Sequence, residues 1–127
     1  MKFIIDGKPQ PKQRPRVTKF GTYTPKETKN YEILVKWMYT LNGGKMLTGP
    51  ISMSIKVVFK LPKAHKGRKV GDCHTQRPDI DNICKAITDS LNGLAYQDDG
   101  QIARLVASKE WGTSDYVEVE IQEVVNG

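Results

Sequence analysis

Arg77-Pro78-Asp79-Ile80-Asp81-Asn82-Ile83-Cys84-Lys85-Ala86-Ile87-Thr88-Asp89-Ser90-Leu91-Asn92-Gly93 is the stretch that decides the fold. Pro78 suits the approach to a helix, and Ile80, Ile83, Ile87 and Leu91 recur at spacings of three and four, which marks one buried stripe. Asp81, Lys85 and Thr88 fall on another face, and Asn92-Gly93 ends the element. Two carboxylates, an amide and a lysine therefore stand at the mouth of a predicted helix. Asp98-Asp99-Gly100-Gln101 follows soon after its end, so a third carboxylate is expected to return to the same end of the fold. Three acids converging on one point repel unless a cation joins them.

Before this helix, Ile51, Met53, Ile55, Val57, Phe59 and Leu61 alternate with Ser52, Ser54, Lys56 and Lys60, the clearest strand in the chain. Pro62 closes it, and Lys63-Ala64-His65-Lys66-Gly67-Arg68-Lys69 is a basic loop. Earlier, Lys2 to Gly7 reads as a short strand. Lys8 to Lys29 carries seven cations with Pro9, Pro11 and Pro15 and reads as an extended basic arm. From Thr28, the residues Tyr31, Leu34, Val35, Met38 and Leu41 recur at helical spacing until Asn42-Gly43-Gly44, with Trp37 expected to help pack this helix. On the C-terminal side, Gln101 to Trp111 and Tyr116 to Val125 read as two strands joined as a hairpin by Gly112-Thr113-Ser114-Asp115, with Trp111 as strand-end packing. The order is strand, helix, strand, helix, strand, strand. That predicts an α/β fold of the α+β type over 1–127, one domain with a small mixed sheet of about four strands and two main helices.

A chain of 127 residues buries enough surface to need no staple, and Cys73 and Cys84 read as reduced thiols in a cytoplasmic protein without a signal peptide or membrane span. The net charge of +6 conceals a division. Residues 1–77 hold 17 Lys/Arg against 4 Asp/Glu, whereas residues 78–127 hold 3 against 10, giving halves of +13 and −7. Surfaces ordinarily intersperse their signs, so this division predicts a cationic cradle facing an acidic pocket. Phe20, Tyr23 and Tyr31 interleave with the cations of the arm, a mixture that favours nucleic acid. Lys12, Lys19, Lys63, Lys66, Arg68, Lys69 and Arg77 are the expected DNA contacts.

The acids specify the chemistry more closely. Residues two apart on a regular helix project about 200° from each other, so Asp79 and Asp81 can share a ligand only if Asp79 is still extended. Lys85 is then one turn from Asp81 and expected beside it, placed to meet a phosphate oxygen. Magnesium takes oxygen ligands and accepts one or two carboxylates plus substrate phosphate, and manganese fits the same donors. Zinc would want His or Cys, and Cys73-His74 is the only such pair. Taken singly, each of these acids is an ordinary helix cap or turn residue.

The run from Arg77 to Gly93, followed by Asp98-Asp99-Gly100-Gln101-Ile102, resembles the RusA family of Holliday junction resolvases, and the likeness continues in Lys12-Gln13-Arg14-Pro15-Arg16-Val17 and Tyr23-Thr24-Pro25. It implies a single RusA-like endonuclease domain, prophage-associated and bacterial or phage-encoded, that forms a homodimer. The implied activity is a magnesium-dependent crossover junction endodeoxyribonuclease that resolves four-way junction DNA by paired symmetric nicks. The family's acidic residues carry over to Asp79, Asp81 and Asp99, with Asp98 able to replace Asp99, and its catalytic lysine to Lys85. Arg14 and Arg16 carry over as DNA contacts. Two other readings remain open: a metal-dependent nuclease acting on other branched DNA, and a non-catalytic nucleic-acid-binding module whose acids are caps and turns.

Overall fold

The computed structural model describes residues 1–125. Its elements run β1 (Lys2–Asp6), β2 (Arg16–Thr18), β3 (Gly21–Tyr23), α1 (Lys26–Leu41), β4 (Ile51–Lys60), α2 (Ile80–Ser90), a short 3-10 turn (Asp99–Gln101), β5 (Ile102–Gly112) and β6 (Tyr116–Glu123). β4 forms as the alternation requires: Ile51, Met53, Ile55, Val57 and Phe59 are all buried, and Ser54 and Lys60 face solvent. The strands order β1-β6-β4-β5 in one mixed sheet. β4 runs parallel to β5 and antiparallel to β6, and β1 closes the other edge antiparallel to β6. This is the expected α+β domain of two main helices and a four-stranded sheet.

The pairing of the last two strands differs from the expected hairpin. β5 and β6 do not pair with each other, because β4 lies between them. Gly112-Thr113-Ser114-Asp115 instead crosses the end of β4, where Lys60 N–H donates to Asp115 Oδ1 at 2.7 Å and Leu61 N–H to the Gly112 carbonyl at 2.9 Å. α2 is the crossover that parallel strands require, carrying the chain from the end of β4 back to the start of β5.

Both helices cover one face of the sheet. α2 buries Ile83, Cys84, Ala86 and Ile87, and α1 buries Thr28, Tyr31, Val35 and Tyr39. The buried face of α1 is rotated from the one expected: Leu34 and Leu41 are exposed, and Trp37 is 63% exposed rather than packed. Tyr39 supplies the missing volume, its ring edge-on to Phe3 and its hydroxyl donating to the Lys45 carbonyl. Trp37 and Leu41 line an open apolar groove of about 500 Å³ with Leu94.

The basic arm also holds more order than the prolines imply. β2 and β3 pair as a short antiparallel ribbon, and α1 begins at Lys26 rather than Thr28. Trp111 is buried as expected, stacked on His74 with centroids 4.0 Å apart. Among the described residues no helix is long and apolar enough to cross a membrane.

Ile87 is fully buried on α2 within the core formed with β4. Ile87→Ala is expected to lower unfolding free energy by about 2–5 kcal/mol in urea titration, the range for deleting a buried aliphatic side chain. A loss below about 1 kcal/mol would mean that α2 is not seated on the sheet as described.

Candidate active site

The mouth of α2 meets the requirement set by the spacing of its acids. Asp79 is the residue before the helix, with φ −69° and ψ 142°, and is extended. Its carboxylate makes no capping bond, so it is not spent on the helix end. Asp81 lies in the first turn, exposed, and its Oδ1 accepts the Asn82 N–H at 3.0 Å. Both acids are therefore at the surface where backbone N–H groups and the helix dipole favour negative charge. Below them Cys84 is buried, its thiol pushed up to about 11 by burial and the nearby Asp81 charge. It is a core residue and contributes no ligand.

The approach to Asp79 is built by residues far away in sequence. Arg77 and Pro78 are joined by a cis peptide bond. Lys109 on β5 donates to the carbonyls of Gln76 and, at 2.7 Å, Pro78. On the other side, Lys12 N–H donates to the Asn82 carbonyl at 2.9 Å, which docks the basic arm on the start of α2. Between arm and turn lies a cleft of about 480 Å³ lined by Lys8, Lys12, Arg77, Pro78, Asp79 and Asn82.

Lys85 is one turn beyond Asp81, but it does not pair with it. Its ammonium lies 3.2 Å from Asp89 Oδ2, at the i,i+4 position. Asp89 also takes Lys12 at 3.6 Å, and Lys12 in turn donates to Glu32 at 2.7 Å. Burial alone would lower the Lys12 pKa, but the Glu32 hydrogen bond and the charges of Glu32 and Asp89 raise it above the ordinary value. Lys12 is thus a structural tie between the arm, α1 and α2. Asp89 was not singled out from sequence, although its spacing from Lys85 is the signal that marks such pairs. The Lys85 side chain is 60% exposed, so its pairing is weak and easily exchanged for a phosphate oxygen.

The third carboxylate does not return to the end of the fold where Asp79 and Asp81 stand. Asp98 and Asp99 follow the far end of α2. The Tyr96 hydroxyl donates to the Thr88 carbonyl at 2.6 Å in the helix's closing turns, and burial first, then the charges of Asp99 and Asp89, raise the Tyr96 pKa. Seven residues of helix, roughly 10 Å of axis, separate Asp81 from Thr88. Asp98 is spent as a cap: its Oδ2 accepts Gly100 N–H at 3.0 Å, and Gln101 completes a capping box. The Asp99 backbone carbonyl accepts the Ile102 N–H, but its carboxylate takes part in no hydrogen bond or ion pair among the described residues, so it, rather than that of Asp98, is available.

The donor set at the mouth of α2 consists of hard oxygens, which suits a divalent cation held by one or two carboxylates and substrate phosphate. Among the described residues no three His, Cys, Asp or Glu side chains are grouped closely enough to form a ready-made metal cage. The acidic half of the chain is also more dispersed than its count implies. Glu118 pairs with Lys2 at 3.4 Å and Glu110 with Lys56 at 3.0 Å on the outer face of the sheet, while Glu123 accepts the N–H groups of Thr48 and Gly49.

The expected DNA contacts divide in the same way. Arg14, Arg16 and Lys19 are exposed on the arm and its ribbon, where Lys19 lies 5.2 Å over the exposed Phe20 ring. Lys63, Lys66, Lys69 and Arg77 are exposed as well. Arg68 is committed to packing: its guanidinium stacks 4.7 Å over Trp111 and donates to the His65 carbonyl.

A family model described as endodeoxyribonuclease RusA matches residues 6–122. The chain is also 33% identical over 137 aligned positions to the uncharacterized protein YqaN of Bacillus subtilis (strain 168), an alignment covering 98% of this chain and 96% of that one. The family match takes in the arm, both helices and the acids at each end of α2, and on that match the chain belongs to the RusA endodeoxyribonuclease family.

Proposed function

We propose that this protein is a magnesium-dependent endonuclease that resolves four-way DNA junctions by paired symmetric nicks, with Asp79 and Asp81 at the centre of its active site. The observation that carries the reading is the conformation at Asp79: extended, with its carboxylate unbonded, and immediately before a helix whose first turn presents Asp81. These two carboxylates would hold magnesium, or manganese in its place. The cation would supply Lewis acidity and charge neutralisation at the scissile phosphate.

The chain's own groups do the rest. Lys85, released from Asp89, reaches the phosphate and stabilises its developing negative charge. Asp81, Lys85 and Asp89 follow one another at intervals of four along α2, a charged strip that leads from the two-carboxylate centre toward the far end of the helix, where Asp99 stands outside that centre. Arg14, Arg16, Lys19 and the Lys63–Lys69 loop track the backbone of the DNA, with Phe20 and Tyr23 available to stack on unpaired bases. The products are a 5′-phosphate and a 3′-hydroxyl.

Paired nicking requires two copies, and the edge of the sheet supports a homodimer. Gly71 to His74 covers only the Lys109–Trp111 end of β5. Among the described residues the stretch from Ala103 to Ser108 has no strand beside it on that edge, and Leu105 and Val106 are 46% and 50% exposed. An unpaired edge with exposed apolar side chains, on which Arg104 is the one charge in this stretch, invites another strand. Light scattering at micromolar concentration is expected to give a dimer for the wild type and a monomer for Leu105→Lys; a wild-type monomer would contradict the paired mechanism.

Cleavage of four-way, three-way and linear DNA in parallel tests the activity. The wild type is expected to nick the four-way junction only with magnesium or manganese present, at symmetry-related positions, and to spare linear duplex. Asp81→Asn is expected to lower the single-turnover rate on the order of 100-fold or more while junction affinity stays within a few fold. An Asp81→Asn variant that nicks at the wild-type rate would overturn the assignment, and equal cutting of linear duplex would overturn the substrate.

A further inference from the structure

Lys109 lies opposite Val57 in the β4–β5 ladder and is half-buried. Its ammonium forms no ion pair among the described residues; it donates to the carbonyls of Gln76 and Pro78, the second at 2.7 Å. These two carbonyls flank Arg77, and the second belongs to the residue immediately before Asp79. Hydrogen bonds from a charged donor are about twice as strong as neutral ones, so this cation holds that turn firmly.

A second set of bonds fixes the same turn from behind. His74 N–H donates to the Lys109 carbonyl at 2.9 Å, and Gln76 N–H donates to His74 Nδ1 at 3.3 Å. The imidazole is clamped between Phe59 and Trp111, with ring centroids 4.6 Å and 4.0 Å away. The turn is therefore held at both ends by groups mounted on the two parallel strands, Phe59 on β4 and Lys109 and Trp111 on β5. Asp79 is the first residue beyond it.

We propose that Lys109 is a positioning residue for cleavage: by gripping the Gln76 and Pro78 carbonyls it keeps Asp79 extended beside the first turn of α2. This rests on the reading of Asp79 and Asp81 as the acidic centre. Lys109 itself touches neither DNA nor metal. Without it, the turn loses its charged anchor, Asp79 samples other directions, and the site loses metal affinity and rate together while the DNA-binding arm is untouched.

The test uses the full chain with Lys109→Met, Lys109→Arg and Asp79→Asn. Four quantities are measured: manganese affinity of the DNA-free protein by calorimetry, single-turnover cleavage at saturating four-way junction, junction affinity in EDTA, and thermal unfolding. Lys109→Met is expected to weaken manganese binding and cleavage by roughly 10- to 100-fold, as removal of a residue supporting a metal ligand does. Its junction affinity should stay within about twofold. Lys109→Arg should recover most of both losses by restoring a charged donor. If Lys109→Met does not fold, Lys109→Gln, whose amide keeps a neutral donor group but no charge, is measured in its place with the same expected direction.

A folded Lys109→Met protein with wild-type manganese affinity and rate overturns the proposal. So does a loss of junction affinity as large as the loss of rate, which would make Lys109 a DNA contact. The underlying reading fails separately: Asp79→Asn cleaving at the wild-type rate removes the acidic centre itself. An inactive Asp79→Asn beside a fully active Lys109→Met removes only the positioning role.

Discussion

The parallel pairing of β4 with β5 is the constraint on which the rest of the structure depends. Two parallel strands cannot be joined by a tight turn, so the chain must climb β4, cross over the sheet and return to the start of β5. α2 is that crossover, and its direction follows: it begins where β4 ends and finishes where β5 begins. Its first turn is therefore close to the upper part of β5, within reach of Lys109, and its last turn is close to the Tyr96–Gln101 segment that leads into the strand. The crossover places Asp79 and Asp81 at one end of the helix and Asp98 and Asp99 at the other.

Local chemistry then decides what each charged group is free to do. Asp79 stays outside the helix because the turn before it is held extended, and it is left without a capping bond. Asp98, eight residues after the last residue of the helix, has the opposite fate and caps the short turn that carries Asp99. Lys85 and Asp89 form the ordinary i,i+4 pair, Lys12 joins Asp89 to Glu32, and Gln13 bonds to Thr28, so that the basic arm is tethered at these two neighbouring residues. The arm past Lys12 presents Arg14, Arg16 and the β2–β3 ribbon to solvent. A cationic, exposed arm near a small acidic cluster results from these separate local balances.

Much of this was legible in the sequence where the signal is local. The near-perfect alternation from Ile51 to Phe59, broken only by Val58, marked β4, and the stripe of Ile83, Ile87 and Leu91 marked α2, because each pattern records burial on one face. The extended state of Asp79 followed from the spacing of two acids around a helix start. Pairings between distant segments left no such record. Nothing in Gly112 to Asp115 distinguishes a hairpin from a link that passes over a third strand, and the deciding partner, β4, lies fifty residues earlier. α1 contains apolar residues on more than one face, so Trp37, Leu34 and Leu41 could not be separated from the buried Tyr39 by period alone. Lys109 showed no signal because its partners are backbone carbonyls, which every residue carries.

Whether the mouth of α2 is the cation-binding centre is decided by titrating manganese into isotopically labelled protein and following paramagnetic broadening of amide resonances. Asp79, Ile80, Asp81 and Asn82 are expected to broaden first, at substoichiometric manganese, while the sheet's outer acids Glu118 and Glu120 keep their line widths. Early broadening centred on β6, with the Asp79–Asn82 amides unaffected, would contradict it.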